Sequence, residues 1–149
     1  MQKKINAHTL VELIIIVAML AALAFIAIPR LQFPTLYRKQ ADTVARKIVT
    51  DLRRARQLAI SNAATDPNGY ALKRTGSTCE IQDGNGVTIP NGTFTIDSKI
   101  SCSGGTNFRF GRLGNLTVYD SNQLTVSAQG RNFVIGVTPA TGMIKCTQN

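Results

Sequence analysis

The amino-terminal part of the chain carries a nearly unbroken apolar run from Leu10 to Ile28, in which Glu12 is the one charged residue. A helix of about 19 residues nearly covers the ~30 Å hydrocarbon core of a bilayer, because each residue adds about 1.5 Å. A carboxylate buried in hydrocarbon without a partner costs several kcal/mol. The pattern therefore predicts a helix that spans or nearly spans a membrane. It also predicts that Glu12 has a partner or lies at headgroup depth.

A second helical pattern runs from about Thr35 to Ala64 and ends at the turn-forming stretch "TDPNG" (65–69). Its apolar positions recur at three- and four-residue steps and form one stripe. They are Val44, Ile48, Leu52, Ala55 and Ala59. The basic residues opposite, among them Arg46, Lys47, Arg53 and Arg54, are interpreted as a solvated face or as partners in salt bridges between subunits. Because a proline bends a helix without necessarily ending it, Pro29 and Pro34 predict one long kinked helix.

The remaining residues predict β-structure. Short runs rich in β-branched and aromatic residues alternate with glycine and asparagine turns. The runs are "YALKR", "CEIQ", "VTI", "TFTI", "KISC", "NFRF", "LTVY", "LTVS", "NFVIGV" and "MIKC". Several alternate apolar and polar residues, so each strand should bury one face. The expected fold is α+β: the long helix packs on an antiparallel sheet or a small two-sheet β-domain, with hairpins at "DGNG" and "TPATG".

Length and charge limit the function only broadly. The 149 residues suffice for one domain and an apolar segment. Seventeen Lys and Arg against eight Asp and Glu give a formal charge of +9, which favours contact with polyanions or anionic lipid heads without identifying either. Lys3 and Lys4 precede the apolar run, so the amino terminus should stay cytoplasmic and the β-domain should face outward. A cleaved signal peptide ending at "ALA" (22–24) and a simple membrane anchor are the alternatives.

The amino terminus resembles that of type IV pilins and type II secretion pseudopilins, through the basic leader, Ala7 and "HTLVELIIIVAMLAALAFIAIPRL". The resemblance implies that prepilin peptidase cleaves between Ala7 and His8, leaving 149 − 7 = 142 residues with Glu12 in fifth place. It also implies methylation of the new amino terminus, a helix kink at Pro29, and neutralisation of a neighbouring subunit's terminal amine by Glu12. The family prefers glycine and phenylalanine at the cleaved bond; we expect processing to survive the change.

The implied organisation has four parts: a leader (1–7), a transmembrane and assembly helix (8–34), an amphipathic helix half (35–64) and a periplasmic or extracellular β-domain (65–149). Stretches such as "ADTVARKIVTDLRRARQLAIS", "FRFGRLG" and "TPATGMIK" are similar to the GspH/FimT family of minor pseudopilins and minor pilins. That resemblance implies a structural subunit at or near the tip of a type II secretion pseudopilus or type IV pilus. The subunit would reside in the bacterial inner membrane before it assembles with other pilin or pseudopilin subunits.

Two further functions stay open: a major filament subunit, and a FimT-like minor pilin that binds DNA during uptake. DNA binding would use basic residues of the β-half on phosphates, with strong salt dependence. The candidates are Arg109, Arg112, Arg131 and Lys145. FimT-like DNA binders carry a Gly-Arg-x-Arg element, of which "GMIK" (142–145) keeps the glycine and one basic residue.

Three cysteines, Cys79, Cys102 and Cys146, lie in the part expected outside the cytoplasm, where disulfides persist. They allow three single pairings, and a bridge that includes Cys102 is favoured slightly because Cys102 lies between the others. Unpaired, half-buried thiols are the alternative. No metal site or other cofactor is expected, since C-x-x-C is absent and His8, the sole histidine, is remote from the thiols. The shortage of histidine also argues against an enzyme.

Overall fold

The structure is a computed structural model that describes residues 10–27 and 33–149. The chain divides into two compact units, Met1–Phe33 and Pro34–Asn149. Helix α1 (Leu10–Ala27) belongs to the first, and helix α2 (Phe33–Ser61) lies almost wholly in the second. The predicted kink at Pro29 and the continuity of the two helices lie outside the described residues.

Helix α1 contains only apolar residues apart from Glu12 in its first turn. Every side chain from 10 to 25 is exposed, and the large ones range from Ile16 at 48% to Phe25 at 84%. The apolar surface therefore surrounds the helix instead of forming one stripe. In the part of the chain that the structure describes, no helix is both long enough and apolar enough to cross a membrane.

Helix α2 is amphipathic, as predicted. Ile48, Leu52, Ala55 and Ala59 are completely buried, and Val44 is partly buried against the same core. The stripe is wider than predicted, because it also buries Ala41, Ala45 and Val49. The small alanines allow the helix backbone to approach the sheets closely, and the predicted polar face is exposed to solvent.

Within the described residues, nine strands form two antiparallel sheets, which confirms the α+β class and the two-sheet alternative. The strands are β1 (Tyr70–Thr75), β2 (Thr78–Gln82), β3 (Thr88–Thr95), β4 (Ser101–Gly104), β5 (Asn107–Phe110), β6 (Leu116–Tyr119), β7 (Gln123–Ala128), β8 (Arg131–Thr138) and β9 (Met143–Gln148). The first sheet has the order β3-β2-β1-β5-β6 and the second β4-β7-β8-β9. The turns at "DGNG" and "TPATG" join β2 to β3 and β8 to β9 as hairpins, as predicted.

The prediction of two separate strands at "VTI" (87–89) and "TFTI" (93–96) was wrong, because the single strand β3 (Thr88–Thr95) contains most of both stretches. Asn91 there takes a positive φ of 54°, and the register of β2 against β3 shifts between Glu80 and Gln82. A local bulge of this kind lets a strand continue through residues that otherwise indicate a turn.

One core joins α2 to both sheets. Phe108 and Phe110 contribute from the first sheet, and Val126 and Ile135 contribute from the second. The burial patterns of β5, β7 and β8 alternate along the strand, so each sheet buries one face. The second sheet ends at β9, beside α2, and this edge carries the main surface feature of the unit.

Candidate functional site

The residues predicted to direct processing and assembly are described only in part. Ala7, His8 and Pro29 lie outside the described residues. Glu12 lies in the first turn of α1 and is exposed. A carboxylate in the first turn interacts favourably with the positive end of the helix dipole.

Two of the four predicted DNA-contacting cations are engaged within the fold. The Nη1 atom of Arg109 donates to the carbonyl oxygens of Asn68, Gly69 and Asp83 at 3.3, 3.5 and 3.3 Å. Arg112 Nε donates to the carbonyl oxygen of Pro67 at 3.4 Å. Both side chains therefore hold the turn that follows α2.

The other two cations lie on opposite faces of the second sheet. Arg131 begins β8 on the same face as the buried Phe133, and it borders a hollow with Arg38 and Arg46 of α2. Lys145 pairs with Gly136 and borders a different hollow with Asn122. The structure thus brings Arg109 and Arg112 to one turn, and it separates Arg131 from Lys145.

A groove of about 530 Å³ runs between α2 and the edge strand β9, and we call it the edge groove. Its lining residues are Asp42, Arg46, Val49, Thr50, Arg53, Phe133, Cys146 and Gln148. The apolar side chains of Val49 and Phe133 form the floor, and both are buried, at 8% and 3% exposure. Arginines of α2 supply the rim.

Neighbouring hollows continue the edge groove at both ends. One of about 230 Å³ shares Asp42, Arg46 and Gln148 with it, and another of about 520 Å³ shares Arg53. Among the described residues, the three stretches together carry six cationic side chains and one carboxylate. The cationic residues are Arg38, Lys39, Arg46, Arg53, Arg56 and Arg131.

These cations differ in how far the fold already uses them. Arg46 Nε donates to both carboxylate oxygens of Asp42 at 3.0 Å. Arg56 donates through Nε to Gly114 O at 3.0 Å and through Nη2 to Thr141 O at 3.1 Å. The side chains of Arg53 and Arg131, by contrast, make no hydrogen bond or ion pair with the residues of the described ranges.

Sequence reasoning missed an ion pair on α2 in which the carboxylate is buried and the ammonium is half exposed. Asp51 is the buried carboxylate of the described core, at 3% exposure, and accepts a hydrogen bond from Lys47 Nζ at 2.7 Å. The Lys47 ammonium also lies 5.5 Å from the centroid of the Phe94 ring. The spacing of four residues between lysine and aspartate was the available signal, but the same spacing is common on solvated helix faces.

All three cysteines are free thiols in the structure. Burial, followed by the neighbouring Cys102 thiol, raises the pKa of Cys79 to about 12. Burial also raises the pKa of Cys102, while Arg74 lowers it. Cys146 is exposed and lies apart, in the edge groove. Cys79 and Cys102 are thus neighbours, while the predicted disulfide stays a prediction.

Asp120 organises the turn between the fourth and fifth strands. Its carboxylate accepts hydrogen bonds from the backbone and hydroxyl of Thr106, at 2.8 and 2.7 Å, and from the backbone N–H of Asn107 at 3.0 Å. Desolvation alone would raise the pKa of Asp120, but these hydrogen bonds outweigh it and hold the pKa well below its usual value.

Comparison of this chain with family models, with curated proteins and with solved structures found no match. Within residues 10–27 and 33–149, no three His, Cys, Asp or Glu side chains are grouped closely enough to hold a metal ion. The described features that bear on function are therefore the exposed apolar helix α1 and the edge groove.

Proposed function

We propose that this protein is a structural subunit of a type IV pilin-like filament, a minor pilin or pseudopilin that assembles through its amino-terminal helix. The observation that carries the proposal is the exposed apolar surface around the whole of α1. Covering each large apolar side chain is worth about 1.5–3 kcal/mol, so a helix of this kind is favoured only where lipid or other helices surround it. A filament core built from such helices supplies that cover, and the inner membrane supplies it before assembly.

The position of Glu12 supports the same proposal. A glutamate near the start of an otherwise apolar helix is costly in a dry bundle, unless a cation accompanies it. Cleavage between Ala7 and His8 would create a terminal amine close to the helix start in every subunit. Glu12 and the amine of a neighbouring subunit would then form a charge-assisted pair that sets the axial register between helices. The second unit, Pro34–Asn149, which we call the β-rich unit, would be displayed on the outside of the filament, at or near its tip.

The first test is the amino terminus of the mature protein, measured by Edman sequencing after expression with a prepilin peptidase. We expect the sequence to begin at His8. A start at Phe25 would instead indicate an ordinary signal peptide and refute the proposal.

The second test is incorporation into filaments. We expect Glu12→Gln, which keeps the shape of the side chain and removes its charge, to reduce the protein in sheared filaments at least about ten-fold. A hydrogen bond to a charged group contributes about 1.5–3 kcal/mol, and about 1.4 kcal/mol corresponds to a ten-fold change. Glu80→Gln, in the β-rich unit, is the matched control and should leave incorporation unchanged. Equal incorporation of the two variants would show that the Glu12 charge has no role in assembly.

A further inference from the structure

The outer side of strand β9 is an open sheet edge. Among the strands of residues 10–27 and 33–149, β9 is the last in its sheet and pairs with β8 alone. Asn149 N donates to Asn132 O at 2.9 Å, and Asn132 N donates to Asn149 O at 3.4 Å, so these two residues form a hydrogen-bonded pair. Because such pairs alternate along an antiparallel ladder, the backbone groups of Ile144, Cys146 and Gln148 point away from β8.

This open edge borders the edge groove. Cys146 and Gln148, two of the residues whose backbone groups point outward, line the edge groove opposite Arg46 and Arg53 of α2. Ile144 continues the same edge into the adjoining hollow, which Arg53 also lines. A row of unpaired backbone N–H and C=O groups is a template for another extended chain, which would gain main-chain hydrogen bonds there.

The charge of the edge groove indicates what kind of chain fits. Arg53 lies at the middle of the three stretches and Arg131 at one end, and neither guanidinium is engaged by the described part of the chain. The one carboxylate, Asp42, is already paired with Arg46. Alternate side chains of an added strand point to one face, so acidic residues at every second position would meet these arginines.

We propose that the edge groove binds an extended acidic segment of a partner protein, which adds a strand to β9 and places carboxylates against Arg53 and Arg131. The segment contributes backbone hydrogen bonds to β9 and covers the apolar floor at Val49 and Phe133. This proposal does not rest on the filament proposal, because it uses only contacts within the β-rich unit. An open strand edge favours a polypeptide over a nucleic acid, since phosphates cannot continue a β-ladder.

The test measures fluorescence anisotropy with the full chain in non-ionic detergent micelles. The probe is a fluorescein-labelled nine-residue peptide of alternating threonine and glutamate. Three comparison probes complete the set: the same peptide N-methylated on the backbone of alternate residues, a peptide with lysine in place of glutamate, and labelled duplex DNA. N-methylation removes the donors needed for strand addition but leaves the charge unchanged.

We expect the acidic peptide to bind, and N-methylation and Arg53→Glu each to weaken its binding at least about ten-fold. Arg131→Glu should weaken it as well. Lys73→Glu is the matched control, because Lys73 is an exposed cation on β1, outside the edge groove, and its reversal should leave binding unchanged. Far-UV circular dichroism and thermal midpoints establish that each variant is folded.

Three results would overturn the proposal. The first is that the acidic peptide does not bind at millimolar concentration. The second is equal binding of the N-methylated peptide, which would mean that charge alone acts. The third is that duplex DNA binds more tightly than the peptide and that Arg53→Glu abolishes this DNA binding, which would assign the edge groove to nucleic acid.

Discussion

Substitution of Gly142 by alanine should strongly destabilise the β-rich unit. Gly142 has a φ of +63°, and a Cβ built on it would collide with the carbonyl oxygen of Gly114. A left-handed conformation costs alanine about 1–2 kcal/mol, partly offset by about 0.4–1 kcal/mol from the less flexible unfolded chain. The collision adds more, because the atom it meets belongs to the backbone and cannot rotate away.

The same collision should disturb Arg56, which links the two turns. Arg56 Nε donates to Gly114 O and its Nη2 donates to Thr141 O, so moving either turn lengthens one or both bonds. Hydrogen bonds to a charged group contribute about 1.5–3 kcal/mol each. We therefore expect Gly142→Ala to lower the free energy of unfolding by about 3 kcal/mol or more.

Two other glycines, Gly130 in the turn between β7 and β8 and Gly136 within β8, separate the conformational cost from the cost of the collision. Gly130 has a φ of +77° with open space around its Cβ position, so Gly130→Ala should cost about 1 kcal/mol from conformation alone. Gly136 has neither a positive φ nor a close neighbour, so Gly136→Ala should instead stabilise the protein by about 0.4–1 kcal/mol through the less flexible unfolded chain. Urea unfolding of the full chain in detergent, followed by far-UV circular dichroism, gives the three values. If Gly142→Ala costs no more than Gly130→Ala, the turns that contain Gly114 and Gly142 do not lie as close together as described.

Two predictions concern titrating groups. Because the folded-state pKa of Asp120 is depressed, its stabilising effect is present above the ordinary value of 3.8 and is lost as pH falls through the folded pKa. Wild-type protein should thus lose more stability than Asp120→Asn between pH 5 and pH 2 in urea titrations, and parallel curves would contradict this. Cys79, with its pKa raised to about 12, should resist iodoacetamide at pH 8 in the folded protein, whereas the exposed Cys146 should react. Peptide mass mapping measures the extent of labelling at each cysteine, and equal labelling of Cys79 and Cys146 would contradict the burial of Cys79.

Local patterns predicted the helices well because helix periodicity depends on near neighbours. The stripe containing Ile48 and Leu52 was visible at three- and four-residue spacing, and both residues are completely buried. The extra burial of Ala41 and Ala45 was not predicted, since alanine is common on any helix face. Small side chains become informative only when the sheet that lies against them is known.

Strand order was not available from the sequence, because pairing joins distant segments. β1 pairs with β5 across more than thirty intervening residues. β4 lies between β3 and β5 in the chain, yet it pairs with β7 in the second sheet. Alternation along each strand predicts which residues face inward, but it carries no information about the neighbouring strand. The position of β9 as an open edge beside α2 is a consequence of this non-local order, and so is the edge groove.

The sequence alone does not show which of the many cationic side chains stabilise the fold and which are available to bind a partner, and the arginines of α2 illustrate this. Arg54 donates to the carbonyl oxygens of Asn91 and Pro90 at 2.9 and 3.3 Å, and Arg38 Nε donates to Gln129 O at 3.1 Å. These bonds reach from α2 to the bulge in β3 and to the turn between β7 and β8, which lie 36 to 91 residues away in the chain.

An arginine that holds a turn and one that awaits a ligand look alike in a sequence, because both lie on the polar face of the same helix. Arg54 and Arg53 are adjacent in α2, yet the Arg54 guanidinium already donates a hydrogen bond to the carbonyl oxygen of Asn91. The Arg53 side chain faces the edge groove with no partner in the part of the chain that the structure describes. Charge reversal at these two neighbours should therefore have different effects: loss of stability for Arg54, and loss of binding for Arg53.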